Sequence, residues 1–148
     1  MDETDRKIVM CLQENARMTF SDIAKQIGKP TSTVFERVKK LENDGVIKGY
    51  RAVLDPLKVE RGFTAFVFGQ AKLGQDINLD RVGMELAKIP EVQEVHFVTG
   101  PYDYLVKMRV KDQKEYYRVV QKIASHFEGR GEGRVAPKTF KDDIFLSL

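Results

Sequence analysis

The chain has 148 residues, a formal net charge of +3 at pH 7 and 42% apolar residues, room for one large domain or two small ones and far from the strongly basic balance of a non-specific nucleic-acid coat. No window approaches the ~18 consecutive apolar residues of a membrane span, and the charged start MDETDRKIV lacks the apolar core of a signal peptide, so a cytoplasmic protein is expected. Cys11 is the only cysteine, which excludes an intrachain disulfide, and its place between Met10 and Leu12 marks a small core residue.

In chain order, Asp2 to Glu14 reads as a first helix, with Asp2 as its cap and Ile8, Val9 and Leu12 facing inward. Thr19 to Leu41 reads as two short amphipathic helices joined at Gly28. The first carries Ile23, Ala24 and Ile27 on one face, with Thr19 and Asp22 as an imperfect capping box. Gly28 tolerates the left-handed backbone that closes a helix, and the small Ala24 allows a close helix crossing. The second helix buries Val34, Val38 and Leu41 and shows Ser32, Thr33, Glu36, Arg37 and Lys40 on its other side. Hydroxyls and a guanidinium reach phosphate oxygens or base edges, while Lys39 and Lys40 neutralise backbone charge, so this pair has the shape of a DNA-reading helix-turn-helix. A helical hairpin with a basic exposed face also occurs in cores that never touch DNA. From Lys29 to Arg51 there are six basic residues against three acidic ones, a local bias that fits a sequence-selective regulator better than a coating protein.

Val46 to Val53 is a β-prone run expected to append a strand to the three-helix unit, and Leu54, Asp55 and Pro56 form a turn signal that ends it. The expected division is a DNA-binding domain at 1–53, a linker at 54–62 and a second domain at 63–148. In the second, the pattern predicts a strand (Phe63 to Leu73), a helix (Leu79 to Ile89, stopped by Pro90), strands at Val92 to Val98 and Tyr104 to Val110, a helix (Gln113 to Phe127) and a last strand somewhere in Val135 to Leu148. The chain is therefore predicted to be α+β, a helix-turn-helix domain of winged-helix type followed by a ferredoxin-like βαββαβ sandwich with both helices on one sheet face. Both alternating sets of Phe63, Thr64, Ala65, Phe66, Val67 and Phe68 are largely apolar. A sheet with one helix-free face does not need that, so two chains are expected to pack these faces together as a homodimer.

Thr99, Gly100, Pro101, Tyr102 and Asp103 lie between the second and third strands and suit a plain hairpin turn. The same residues suit a pocket for an amino-acid zwitterion: N–H groups beside Gly100 for a carboxylate, Asp103 for an ammonium and Tyr102 to wall off solvent. Enzyme chemistry finds little support. His96 and His126 are thirty residues apart with no ligand spacing around them, and EGRGEGR lacks the strand-to-helix setting of a phosphate loop and reads as a flexible turn. No catalytic residue, metal or cofactor is expected.

Taken together, DETDRKIVMCLQENAR, the helix-turn-helix running into RVKKLENDGVIKGY, the LDP at Leu54 to Pro56 and PEVQEVHFVTGPYDYLVKMRV at Pro90 to Val110 resemble the Lrp/AsnC (leucine-responsive regulatory protein, or feast/famine) family over nearly the full length. The resemblance implies a transcriptional regulator, not an enzyme. It implies binding to double-stranded DNA through Thr31, Ser32, Thr33, Glu36, Arg37, Lys39 and Lys40. It further implies an amino acid or related effector bound at Thr99, Gly100, Pro101, Tyr102 and Asp103 between C-terminal domains, and homodimers that assemble further. The alternative is an architectural protein that wraps DNA with little sequence choice. The chain departs from the family pattern at Lys29 and Pro30, where Leu-Ser is usual and the helix cap must come from Thr31 or Ser32. It departs again at Glu36, a position often basic, and at Pro101, a position commonly acidic.

Overall fold

The computed structural model describes residues 1–71 and 78–148, with Gly129 and Arg130 described by backbone alone. The chain forms two compact units, Met1–Val53 together with Asp142–Leu148, and Leu54–Lys141. It therefore crosses between them twice, and the last seven residues, read from sequence as the end of the C-terminal domain, pack with the N-terminal unit.

The first unit holds α1 (Glu3–Glu14), α2 (Phe20–Ile27) and α3 (Thr31–Asn43). Asp2 caps α1 in a full capping box: its carboxylate accepts from the Asp5 N–H, and the Asp5 carboxylate accepts from the Asp2 N–H, both at 2.9 Å. Thr19 caps α2 by accepting from the Asp22 N–H, and Gly28 closes that helix at φ 65°, where a side chain would be strained. Ile8, Cys11, Leu12, Ile23, Ala24, Val34, Val38 and Leu41 make the core. The expected strand at Val46 to Val53 is not formed. After Asp44 the backbone turns at Gly45, and none of this stretch joins the single sheet, because a strand needs a ladder partner and no other strand of this unit offers one among the described residues. Tyr50 instead donates its hydroxyl to Glu42 at 2.9 Å, and burial, then Glu42, pushes its pKa up to about 12.

The C-terminal segment is held to α1 by a side-chain amide. Gln13 Nε2 donates to the Leu146 carbonyl at 3.0 Å, and the Leu146 N–H donates to Gln13 Oε1 at 2.7 Å. Ile144 and Leu146 are exposed, and Phe145 between them is half-buried. Gln13→Ala should raise amide exchange at Leu146 by roughly tenfold, the loss of two exposed hydrogen bonds. Unchanged protection would mean that the segment is held elsewhere.

The second unit holds β1 (Phe63–Ala71), α4 (Leu79–Ala87), β2 (Val92–Phe97), β3 (Tyr104–Val110), α5 (Gln113–Ala124) and β4 (Phe127–Ala136). The sheet order β2-β3-β1-β4 is antiparallel throughout, which is the ferredoxin-like arrangement. Leu73, in the expected first strand, lies outside the described residues. The last strand is displaced from expectation. It runs Phe127 to Ala136 and contains EGRGEGR, which had read as a flexible turn. Its glycines leave room for rings: a Cβ on Gly133 would sit 2.1 Å from the Tyr116 hydroxyl oxygen, and one on Gly69, opposite Gly131, 2.1 Å from the Phe127 ring. Residues 54–62 belong to this unit rather than to an open linker. Lys111 binds Glu60 at 2.6 Å, and Arg61 lies 3.8 Å from Glu115 at the start of α5.

The helices cover one face, burying Ala65, Val67, Leu86, Tyr104, Val106, Met108, Val119 and Ile123. Phe66 and Phe68 alternate with Ala65 and Val67 and so occupy the helix-free face, where both are half-buried. That face is not wholly apolar. Lys107 binds Glu94 at 2.8 Å across β2 and β3, and Arg134 binds Glu132 at 2.6 Å along β4.

Candidate functional site

Two sites follow from the two units. In the first, α3 begins at Pro30, which cannot cap with a side chain, and no side-chain hydrogen bond caps the helix. The expected cap from Thr31 or Ser32 is thus absent. Whereas α1 and α2 satisfy a first-turn N–H with Asp2 and Thr19, the first turn of α3 has no side-chain acceptor, an arrangement that suits a phosphate oxygen. Thr31, Ser32, Glu36, Lys39 and Lys40 are exposed, and Thr33 is half-buried.

Arg37 is placed differently from the sequence expectation. Its Nη1 donates to Asp2 Oδ2 at 2.5 Å and to Asp5 Oδ1 at 3.1 Å, so it braces α3 against the N-terminus of α1. Position explains this. Val34, Val38 and Leu41 define the buried stripe, and Arg37 lies on its α1 flank, whereas Ser32, Glu36 and Lys39 lie opposite. The Asp5 N–H first, and the guanidinium second, hold the Asp2 carboxyl below the usual aspartate range, and Asp2, then Asp5, raise the Arg37 pKa. The sequence reading passed over Phe35, which is 42% exposed on the same side of α3 as Lys39.

In the second unit, a hollow of about 310 Å³ is lined by Phe68, Val98, Thr99, Pro101, Tyr102, Glu132 and Arg134. Thr99, Pro101 and Tyr102 of the expected set are there. Gly100 shapes the turn at φ 124°, a backbone that favours glycine. Asp103 turns inward: its N–H donates to the Gly69 carbonyl at 3.1 Å, and its Oδ2 accepts from the Ala71 N–H at 2.9 Å. It therefore fastens the turn to β1. The carboxylate at the hollow is Glu132. Arg134, then the Tyr102 hydroxyl at 3.1 Å, keep it below the ordinary glutamate range and so ionised. Arg134 in turn lies 5.5 Å from the centre of the Phe68 ring. Phe68, Val98, Glu132 and Arg134 were missed because they come from three segments. The one available signal was the period-2 alternation of Gly131, Glu132, Gly133 and Arg134.

A three-helix unit with a basic, uncapped reading helix, and a βαββαβ unit with a hollow at its hairpin, define a DNA-binding protein with a small-molecule domain. Residues 1–48 match the family described as "Winged helix-turn-helix DNA-binding", and residues 64–131 match the "Lrp/AsnC ligand binding domain". The HTH-type transcriptional regulator FL11 of Pyrococcus horikoshii is 37% identical over 125 residues, 84% of this chain and 81% of that protein. The crystal structure of an AsnC family transcriptional regulator from Agrobacterium tumefaciens superposes with a TM-score of 0.92 at 32% identity, covering 100% of this chain and 97% of that one. A Neisseria meningitidis transcriptional regulator in complex with L-methionine gives 0.89 at 29% identity, covering 100% and 97%. The chain belongs to the Lrp/AsnC family: it is a helix-turn-helix transcriptional regulator with a ligand-binding domain, and not an enzyme. Among the described residues no helix is long and apolar enough to cross a membrane.

Proposed function

We propose that the chain is a cytoplasmic, sequence-specific regulator whose α3 enters the major groove of duplex DNA. Thr31, Ser32 and Thr33 hold a phosphate at its first turn, Glu36 faces the base edges, and Lys39 and Lys40 neutralise the backbone. Arg37 serves by holding α3 to α1. The uncapped first turn of α3 above a row of exposed hydroxyls and lysines carries this reading. The effector is an amino acid with an apolar side chain. Its ammonium replaces Arg134 on Glu132, its carboxylate pairs with Arg134, and its side chain lies against Phe68, Val98 and Pro101. The L-methionine bound by the Neisseria relative is the same chemistry. Homodimers form through the helix-free sheet face at Phe66 and Phe68, which brings a second C-terminal domain over the hollow.

Gel shifts across a salt series test the DNA arm. Lys39→Ala should weaken binding about equally for all duplexes and reduce the salt slope by about 1. Duplex binding that is absent at low salt would overturn the reading. In the effector arm, L-methionine should raise the melting temperature of the wild type and leave Arg134→Ala unmoved. Light scattering that shows a 17 kDa particle at micromolar concentration would remove the dimer.

A further inference from the structure

Ser32, Phe35, Glu36 and Lys39 stand three, four and seven residues apart along α3, and all four are exposed. That spacing is one helical stripe, opposite buried Val34, Val38 and Leu41. Three of its members are polar, as a surface that meets DNA requires. Phe35 is the exception. Its ring is 42% exposed, touching the Phe20 ring edge-on at 5.8 Å between centres and lying under the Lys39 ammonium, 4.5 Å from its centroid. The α2–α3 core does not need it, since Ile23, Ala24, Val34 and Val38 already fill that contact at 4% exposure or less. Covering the exposed part of the ring is favourable, and its place on an otherwise polar stripe says what covers it.

The stripe itself identifies that partner. A major-groove base edge presents donors, acceptors and one apolar group, the C5-methyl of thymine. We infer that Phe35 is a specificity-determining residue that seats its ring on a thymine methyl, an inference that rests on the reading above that α3 lies in the major groove. Phe20 fixes the ring from the α2 side. Lys39 covers the ring face in the free protein and moves to a phosphate on DNA, which uncovers the ring for the methyl. Ser32 lies about one turn before Phe35 and Glu36 directly follows it on the same stripe, so the thymine read by Phe35 neighbours the base pair they face.

The test uses the full chain and a duplex chosen from a random pool by repeated rounds of binding. Each thymine of a half-site is replaced in turn by deoxyuridine, which removes the methyl and nothing else, and Kd is measured by fluorescence anisotropy. At one position the wild type should lose about fourfold in affinity, the value of one buried methyl group. Phe35→Ala should bind the thymine duplex more weakly and show no difference between the two duplexes. Phe35→Leu, which keeps the packing against Phe20, should retain part of the difference and confirms that a folded variant is being read. Equal wild-type affinity at every thymine and uridine position, a selected site without thymine, or an undiminished difference in Phe35→Ala would each overturn the inference. So would a Phe35→Ala variant that changes only the molecular mass of the assembly, because the ring would then face a second copy. Wild-type protein that binds no duplex at all would instead overturn the DNA reading beneath it.

Discussion

Tyr104→Ala is expected to lower the stability of the ligand-binding unit by about 3–5 kcal/mol, the range for deleting a buried ring. Tyr104 is 2% exposed, its ring is stacked on Phe127 at 6.1 Å and meets Phe97 edge-on at 5.9 Å, and its hydroxyl donates to the Leu79 carbonyl at 2.6 Å. One side chain thus joins β3, the start of α4 and the first residue of β4. Burial pushes its phenol pKa up, as expected of a hydroxyl kept as a neutral donor. Tyr104→Phe keeps the ring and removes only the bond to Leu79, so it should cost about 1 kcal/mol. Urea unfolding followed by circular dichroism separates the two variants. Because Tyr104 directly follows Asp103, which ties the turn proposed to hold the effector to Gly69 and Ala71, Tyr104→Ala should also abolish stabilisation by L-methionine. Equal urea midpoints for Tyr104→Ala and Tyr104→Phe would show that the ring does not hold this core together.

What could be read from the sequence follows the range of the interactions. The caps at Asp2 and Thr19 and the left-handed Gly28 are contacts among close neighbours, and each was visible as a short motif. The strand Tyr104 to Val110 was visible because its apolar residues sit on a regular alternation. The strand Phe127 to Ala136 was not, because Gly131 and Gly133 stand opposite buried Gly69 and Val67, where a strand pattern expects large apolar residues. Gly133 makes sense only beside the Tyr116 hydroxyl on α5, a contact with another element. The candidate sites divide in the same way. Thr99, Pro101 and Tyr102 are consecutive or nearly so and were found together, whereas Glu132 lies thirty residues beyond Tyr102 and reaches it only through the sheet. Asp103 and Arg37 were visible as polar side chains of a turn and a helix, but the partners that engage them lie more than thirty residues away and were not.

Arg37→Ala is the variant with the largest expected effect on the DNA-binding unit, and it acts through stability. The residue joins α3 to both carboxylates of the α1 capping box, and Asp5 is buried at 8% exposure. Removing the guanidinium leaves the Asp5 carboxylate without its cation and frees the first turn of α1 from the reading helix, so the melting temperature should fall by several degrees. DNA affinity should fall with it, on the order of tenfold and for all sequences alike, because the whole helix loses its placement. Arg37→Lys should recover only part of both, since a single ammonium does not reproduce a fork between two carboxylates. A residue that only contacted phosphate would behave otherwise: melting would be unchanged and the salt slope would drop by about 1. The clamp also has a pH signature. The folded-state pKa of Asp2 is depressed, so its contribution is fully present above the ordinary aspartate value, about 3.9, and is lost as pH falls through the lower folded value. Wild-type melting should therefore decline below about pH 4, and the decline should be shallower in Arg37→Ala, where the backbone N–H groups of Asp5 and Thr4 alone still favour the Asp2 carboxylate. Identical melting temperatures for the two proteins at both pH 7 and pH 3 would show that Arg37 carries no load between α1 and α3.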